Sequence, residues 1–356
     1  MTHRIAAIGL RQMARRFLPT GGALWVVGVV GALLLLAQPI RADSWISASP
    51  GGGTIRALAI DPLTPTTLYA GAISTSGGGG GVFRSTDSGA SWTPVNSGLP
   101  NLEVIALAID PATPTTLYAG RLDHGVFRST DSGDSWAAVN TGLTSLTVQA
   151  LAIDPATPTT LYAGTRDDGV FRSTNRGVSW AAVNSGLTNV NSLAIDPATP
   201  TTLYAGTSGS GVFRSTDSGA SWAAVNSGLT NLWVFALAID PATPTTLYAG
   251  TLKLGDGGGV FRSTDSGASW AVVNSGLPSL TVLALAIDSA TPTTLYTGTR
   301  GDALGGGVFQ ADHRFRRGRH RRGRLTSQRY ALNTVCGGSV GCLIERTLSS
   351  STSFST

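Results

Sequence analysis

Short apolar segments separated by turn residues recur along most of the chain, and this pattern favours strands over helices. One unit contains "VQALAIDP" (148–155), "TPTTLYAGT" (157–165), "GVFRST" (169–174) and "SWAAVNSGL" (179–187), with Gly, Pro, Asp or Asn between the apolar parts. Apolar runs of this length, bounded by turn residues, are typical of strands. Their β-branched, aromatic and small residues fit sheets that are covered on both faces. Each unit is therefore predicted to form a four-stranded antiparallel sheet.

The most constant part of the unit is an octapeptide that ends in tryptophan. Aligning its five copies on that tryptophan gives spacings of 44, 44, 42 and 48 residues. The five copies, called the box octapeptides below, occupy residues 85–92, 129–136, 173–180, 215–222 and 263–270. Four strands in a repeat of this length are the pattern of a β-propeller blade.

The number of blades follows from the first strand of the unit, which occurs six times. Its copies end at Asp61, Asp110, Asp154, Asp196, Asp240 and Asp288. The sixth unit stops after "GGGVFQ" (305–310) without a fourth strand, whereas "DSWISAS" (43–49) resembles an isolated fourth strand with Trp45 at the box position. We predict an all-β fold: a six-bladed propeller over residues 43–311, in which 43–49 completes the last blade. Closure of this kind removes exposed sheet edges.

The chemistry of the box octapeptide favours a structural turn over an active site. Asp87 precedes Gly89, where a positive φ is unstrained, and its carboxylate can accept hydrogen bonds from successive backbone N–H groups. The third copy carries Asn175 instead of the acid, a change that a turn tolerates and a catalytic acid does not. Each tryptophan is expected to pack between sheets. The predicted structural residues are Asp87, Trp92, Asp131, Trp136, Asn175, Trp180, Asp217, Trp222, Asp265 and Trp270.

These octapeptides resemble the Asp box, Ser-x-Asp-x-Gly-x-Ser/Thr-Trp, of the BNR-repeat proteins. The resemblance extends over residues 43–311 and includes the propellers of sialidases, sortilin-type receptors, xyloglucan-active glycosidases and photosystem II assembly factors. It implies a propeller in which the box is a turn on the face away from the ligand. The chain is thus similar to a non-catalytic member of this family.

Both termini differ in charge from the repeated body. The net charge of +5 comes from five Arg in residues 1–42 and nine Arg in residues 312–356, because residues 43–311 carry eighteen acids against eleven cations. The apolar run at 21–37 follows several arginines, so we predict that 1–42 is a secretory signal or, alternatively, a retained anchor. Either places the body outside the cytoplasm: secreted, periplasmic or on the cell surface. Residues 312–356 are predicted to be a disordered tail or, alternatively, the product of a shifted reading frame.

Comparison of the units separates a constant face from a variable one. The connection from the second to the third strand differs in every copy, as does the segment before each first strand. Residues that differ between copies are not needed to build a blade, so they are free to bind a ligand. The predicted ligand-binding residues are Arg121, Asp123, His124, Arg166, Asp167, Asp168, Trp233, Lys253, Asp256, Arg300 and Asp302. The alternative is drift in surface loops.

Arginines that recur in every "VFRST" motif are expected to pair with acids of their own blade, such as Asp61. The recurring tyrosines, of which Tyr69 is the first, are expected to be packing residues. His124 is the single histidine of residues 43–311, so neither a metal site nor a catalytic triad is predicted. Cys336 and Cys342 make no disulfide framework.

A binding or scaffold function follows from these observations. We expect a monomeric, non-catalytic module that binds a glycan or a protein at the cell envelope, with no cofactor, no metal, no nucleic acid and no membrane span after signal cleavage. One alternative is a glycoside hydrolase of the sialidase type, although Glu103 is the only glutamate of the body. Another alternative is a protein similar to the photosystem II assembly factors.

Overall fold

The chain forms a six-bladed β-propeller, as predicted from the repeat. The computed structural model describes residues 53–74, 79–100, 102–255, 257–277, 279–288, 292–300 and 307–312. These residues contain 23 strands and no helix. The strands form six antiparallel sheets, each from strands consecutive in sequence, so the chain completes one blade before it starts the next.

The first five blades have four strands each, and the last is described with three. The first strands are β1 (Gly53–Ile60), β5 (Val104–Ile109), β9 (Val148–Ile153), β13 (Val190–Ile195), β17 (Val234–Ile239) and β21 (Val282–Ile287). The second strands are β2 (Leu68–Ser74), β6 (Leu117–Arg121), β10 (Leu161–Thr165), β14 (Leu203–Thr207), β18 (Leu247–Leu254) and β22 (Thr294–Thr299). The third strands are β3 (Gly81–Ser85), β7 (Gly125–Ser129), β11 (Val170–Ser173), β15 (Gly211–Ser215), β19 (Gly257–Ser263) and β23 (Gly307–Asp312). The fourth strands are β4 (Thr93–Pro94), β8 (Ala137–Ala138), β12 (Ala181–Ala182), β16 (Ala223–Ala224) and β20 (Ala271–Val272).

The register of the strands defines two ends of every blade. In the second blade, Leu117 lies opposite Ser129, so the start of the second strand and the box octapeptide share one end, which we call the box face. Arg121 lies opposite both Val104 and Gly125 at the other end. This second end, the variable face, carries the loops between second and third strands and the start of each first strand.

The hydrophobic core lies between neighbouring sheets. The first strands of consecutive blades pack against one another from β1 to β21, which places them innermost. Between the first two blades, Tyr69 and Val82 of one sheet meet Phe127 and Trp136 of the next in a single buried cluster. Clusters of the same composition recur between the later blades. Stability is therefore distributed over the interfaces between blades, as in other repeat proteins.

Two strand boundaries differ from the sequence-based expectation. The second strand of the third blade begins at Leu161, because Thr160 donates its N–H to the Thr157 carbonyl and thereby closes a turn. The fourth strand has only two residues, because the Trp180 N–H donates to the Thr141 carbonyl of the preceding blade and leaves its own sheet.

The last blade is described with three strands, and β23 continues to Asp312, one residue past the predicted boundary. The predicted closing strand, residues 43–49, lies outside the described residues, as do residues 1–42 and the tail after Asp312.

Candidate functional site

The box octapeptide forms a closed hydrogen-bonded turn. Asp87 Oδ1 accepts hydrogen bonds from the Ser91 N–H (2.9 Å) and the Ser85 hydroxyl (2.8 Å), and Oδ2 accepts one from the Ser91 hydroxyl (2.6 Å). Ser85 Oγ in turn accepts the Gly89 N–H at 2.8 Å. These bonds, with the Ser91 hydroxyl contributing most, lower the pKa of Asp87 to about 2. The carboxylate thus holds a turn, although it accepts one backbone N–H and two hydroxyls from these serines instead of the expected series of backbone groups.

The asparagine in the third box octapeptide preserves this turn. Asn175 Oδ1 accepts the Ser179 N–H at 3.0 Å and the Ser173 hydroxyl at 2.8 Å. Its Nδ2 donates to Ser179 Oγ at 2.8 Å, which reverses the direction of one bond without moving its partners. A neutral amide therefore replaces the carboxylate, as expected of a structural group.

Each indole from the second to the fifth box octapeptide joins two blades. Trp136 is 6% exposed and donates its Nε1–H to the Val95 carbonyl of the preceding blade at 2.8 Å. Trp180, Trp222 and Trp270 donate in the same way to the valine that lies three residues after the preceding box tryptophan. These four indoles therefore lie between neighbouring sheets. Trp92 packs against the buried cluster of Ala70, Ala72 and Phe83 in the first blade.

The prediction that the recurring arginines pair within their own blade is wrong. Arg84 forms an ion pair of 2.9 Å with Asp134 and donates to the Ser132 carbonyl at 3.0 Å, both in the next blade. Asp61, the expected partner, accepts the N–H groups of residues 63 and 64 and closes its own turn. The Arg84 guanidinium thus bonds to the box turn of the next blade, which presents the Ser132 carbonyl and the Asp134 carboxylate.

The recurring tyrosines are packing residues, as predicted. Tyr118 is fully buried, and its hydroxyl donates to the Arg176 carbonyl of the next blade at 3.2 Å. Arg128 donates to the same carbonyl at 3.0 Å. The box face is therefore occupied by bonds that hold the blades together.

The variable face of the second and third blades gathers several predicted residues around one segment, residues 144–147. Asp123 accepts a hydrogen bond from the Thr147 hydroxyl, and Asp168 accepts one from Thr144, both at 2.5 Å. Asp167 accepts one from the Ser145 hydroxyl at 3.4 Å. These carboxylates from two blades are thus held by hydroxyls of the segment that leads into β9.

The other predicted residues of the variable face are more dispersed. Arg166, Lys253 and Arg300 are exposed, whereas Arg121 is fully buried. The backbone carbonyl of His124 accepts a hydrogen bond from Asn140, and its Nδ1 is buried without a partner. Two further predicted residues, 256 and 302, lie outside the described residues.

Trp233 lies across the boundary between the fourth and fifth blades. It pairs with Ser208 as an isolated bridge, and its indole passes beside Gly209, where an added Cβ would lie 3.7 Å from the ring. Asn191 joins this group through bonds from Nδ2 to Ser208 Oγ (2.8 Å) and to the Val234 carbonyl (3.0 Å). Trp233 is 40% exposed, so it offers an aromatic surface beside polar groups.

A set of residues that was not predicted lies at β-bulges in the first strands. In β5, Val104 pairs with Arg121 and Ala106 with Gly120, so that Ile105 is the extra residue of a bulge. The same register shift occurs in all six first strands. The six residues, called the bulge ring below, are Arg56, Ile105, Gln149, Asn191, Phe235 and Leu283.

All six members of the bulge ring are half-buried, and they differ from blade to blade while their neighbours repeat. A bulge re-aims a side chain out of the ladder. Because the first strands are innermost, the ring lies towards the centre of the propeller near the variable face. In the sequence, each of these residues is the one variable position directly before a constant "ALAID" or "SLAID". This variation could have identified the set, but a strand with regular alternation gives no reason to expect a bulge there.

One polar member of the bulge ring lacks a hydrogen-bond partner. Gln149 Oε1 is buried and has no donor among the described residues. Asn191 Nδ2 uses its two hydrogens within the protein. Burial lowers the pKa of Arg56. The polar arc of the third and fourth blades therefore offers an acceptor, and the adjacent arc of Phe235 and Leu283 is apolar.

Cavities and metal-binding clusters give no competing site in the described part of the chain. Two open clefts of about 210 and 270 Å³ lie beside Trp180 and Trp270 at equivalent positions of two blades, so they belong to the repeat. No group of three His, Cys, Asp or Glu residues that could hold a metal ion is found among the described residues. Nor do these residues contain a helix that is long and apolar enough to cross a membrane.

Comparison with solved structures places the chain among propellers of different functions. An ancestral GH74 enzyme is 25% identical with a TM-score of 0.61, and the match covers 76% of this chain and 38% of that one. YCF48 bound to D1 peptide is 16% identical with a TM-score of 0.56, covering 77% of this chain and 85% of that one. Sqt1 from Chaetomium thermophilum is 16% identical with a TM-score of 0.51, covering 74% and 70%.

These similarities support the propeller fold. The chain spans less than half the length of the GH74 enzyme it matches, and the identities to YCF48 and Sqt1 show the fold alone. No protein-family model and no curated protein matches the chain, so membership of the Asp-box family stays a prediction. The chain is a six-bladed β-propeller whose structural neighbours include both GH74 enzymes and propellers of other kinds.

Proposed function

We propose that this chain is a non-catalytic binding propeller that holds a segment of a partner protein in the bulge ring at its variable face. The observation that carries the proposal is the bulge ring itself. Six strands that are otherwise nearly identical differ at one bulge position each, and there they carry Arg56, Ile105, Gln149, Asn191, Phe235 and Leu283. A repeated scaffold with non-repeated residues at its centre is suited to recognition of one asymmetric ligand.

The chemistry of the bulge ring favours a peptide segment over a glycan. Gln149 Oε1 is a buried acceptor without a donor, and a peptide N–H would satisfy it. Phe235 and Leu283 lie in adjacent blades and are half-buried, so they would cover an apolar side chain of the same segment. A sugar offers hydroxyl donors but no extended apolar side chain for this arc. One neighbour, YCF48, is bound to a peptide, which agrees with this ligand class.

Hydrolysis of a glycan is the second candidate, because one neighbour is a GH74 enzyme. Glycoside hydrolysis uses two carboxyl groups on either side of the scissile bond. On the described part of the variable face, the loop carboxylates Asp123 and Asp168 accept hydrogen bonds from threonine hydroxyls. Glu103 is the single glutamate of this region. This arrangement favours binding over catalysis.

The proposed location is outside the cytoplasm, with residues 1–42 as an export signal or anchor. The partner would then be a protein of the cell envelope, held by a monomeric propeller without a cofactor.

The test is a selection of peptides from a random library on the full chain, followed by affinity measurements. We expect peptides whose affinity falls at least about tenfold in Phe235→Ala, the loss typical of a hot-spot residue. Gln149→Leu removes the acceptor at similar volume and should weaken the same peptides. Val272→Ala is the matched control, because Val272 is an apolar residue of the same blade as Phe235 and is 59% exposed on the fourth strand.

Unfolding curves of each variant separate loss of binding from loss of folding. A glycan array and an assay with xyloglucan run in parallel on the same variants. Peptides that bind all variants equally would refute the bulge ring as the site. Glycan binding that depends on Phe235, or hydrolysis that is lost in Glu103→Gln, would refute the peptide proposal in favour of the corresponding alternative.

A further inference from the structure

Arg121 differs from its counterparts in the blades that follow. The third, fourth and fifth blades carry Thr165, Thr207 and Thr251 at the same register position, the end of the second strand on the variable face. Each of these threonines is fully buried, and its hydroxyl donates to the carbonyl of a glycine in its own hairpin. The fold therefore needs only a small hydroxyl here, and the arginine of the second blade is not required to build the blade.

The guanidinium of Arg121 is buried without a hydrogen-bond acceptor. The side chain is 0% exposed, and none of Nε, Nη1 and Nη2 has a hydrogen-bond partner among the residues that the structure describes. Its carbon lies 5.0 Å from the centre of the Phe127 ring, in a cation–π contact. That contact places positive charge on a ring face but satisfies none of the five N–H donors. Burial without acceptors lowers the pKa of Arg121, and the nearby Glu103 only partly opposes this effect.

The place of Arg121 in the sheet connects it to the variable face. It lies two residues beyond Ala119, on the same side of the strand as Ala119 and Leu117, which pack against the first blade. The loop that follows it contains Asp123, which is exposed, and His124, whose Nδ1 is also buried without a partner. Arg121 therefore lies on the side of its strand that faces the first blade, and the loop that follows it carries a second buried nitrogen without a partner among the described residues.

We propose that Arg121 is an anion site at this junction that takes one carboxylate group of the ligand. A planar guanidinium binds a carboxylate through two parallel N–H···O bonds, and such a pair in a water-poor site is among the stronger polar contacts in proteins. The guanidinium has no hydrogen-bond acceptor among the described residues, so a carboxylate would supply acceptors that the fold leaves missing. Because the side chain is 0% exposed, pairing requires it to turn away from the Phe127 ring towards the variable face. The proposal rests on the proposed binding function and specifies that the bound segment is acidic.

The first experiment measures the thermal unfolding midpoint of the full chain in acetate, with chloride at equal ionic strength and acetamide as the neutral isostere. We expect acetate to raise the midpoint by about 3–6 °C at ten times its half-saturating concentration, and the two controls to leave it unchanged. Arg121→Thr installs the residue of the other blades, so it should fold and lose the response to acetate. Arg121→Lys keeps the charge but not the planar fork and should need several-fold more acetate.

Arg176→Ser is the matched control, because it removes an exposed arginine from the box face, installs the serine that the other box octapeptides carry at this position, and should keep the full response. A wild-type midpoint that does not distinguish acetate from acetamide would overturn the proposal. An Arg121→Thr variant that still responds to acetate would also overturn it.

The carboxylate could belong to the C-terminus of the bound peptide or to one of its acidic side chains. Peptides that bind through the bulge ring distinguish these two sources. Amidation of the peptide C-terminus and replacement of its acidic side chains are tested separately for loss of affinity that depends on Arg121. Peptides that bind through Phe235 but are indifferent to Arg121→Thr would refute the anion site and leave the proposed function standing. An acetate response that depends on Arg121, without any peptide binding, would support the anion site and refute the proposed binding of a peptide segment.

Discussion

Replacement of Trp136 by alanine tests whether the box tryptophans hold neighbouring blades together. The side chain is 6% exposed and belongs to the cluster that joins the first two sheets. Truncating a buried tryptophan costs about 3–5 kcal/mol. The change also leaves the Val95 carbonyl, which now accepts the indole N–H at 2.8 Å, without its donor, at a further cost of about 1 kcal/mol. We expect Trp136→Ala to lower the free energy of unfolding by about 4–6 kcal/mol.

The assay is equilibrium unfolding in urea, followed by circular dichroism and by tryptophan fluorescence. Trp136→Phe keeps most of the ring and loses the N–H donor, so it should cost much less than alanine. Trp233→Ala is the control, because this indole is 40% exposed and makes no contact with that cluster. A loss below about 1.5 kcal/mol for Trp136→Ala would refute the inference that burial between sheets is the main role of the residue.

Two further predictions concern the box turns and one interface glycine. Hydrogen bonds hold the pKa of the box carboxylates at about 2, below the ordinary 3.8 of an unfolded chain; these are Asp87, Asp131, Asp217 and Asp265. The stability that they contribute is therefore present above pH 3.8 and is lost as the pH falls towards 2. The variant with asparagine at all four positions should therefore unfold with a flatter dependence on pH between 4 and 2, and an unchanged slope would contradict the assignment. At Gly98, with φ of +85°, an added Cβ would lie 2.2 Å from the Trp136 carbonyl oxygen, whereas at Gly186, with φ of +84°, it would meet nothing within 4 Å. Gly98→Ala should thus cost more than Gly186→Ala by at least about 1 kcal/mol in the same urea assay, and equal losses would show that the close approach is relieved elsewhere.

The parts of the fold that repeat could be predicted from the sequence. The tryptophans of the five box octapeptides, the recurring tyrosines and the first strands occupy equivalent positions in successive blades, so each copy supports the assignment of the others. The role of Asn175 also followed from its place in a series of aspartates, because only a turn accepts either residue. The roles of these residues could be predicted because several copies of the unit were available for comparison. One blade alone would not have been enough.

The parts that were not predicted depend on contacts between blades or on departures from regular strand geometry. Arg84 lies 50 residues from Asp134, and no local pattern indicates that the two side chains meet. The bulge at Ile105 inverts the side-chain alternation of a strand at one point, so a strictly alternating reading places that residue among ordinary strand positions. Burial of Arg121 was concealed by its place in a loop motif that otherwise consists of exposed polar residues.

The indole bonds run in one direction along the chain, from each box tryptophan to a carbonyl in the unit before it. The second, third and fourth units therefore each carry one donor for the preceding unit and one acceptor for the following unit. Removal or duplication of one whole unit in the gene leaves each new junction with a matching donor and acceptor, whereas a break inside a unit separates them. Unequal recombination can for this reason change the number of blades without any new contact having to arise.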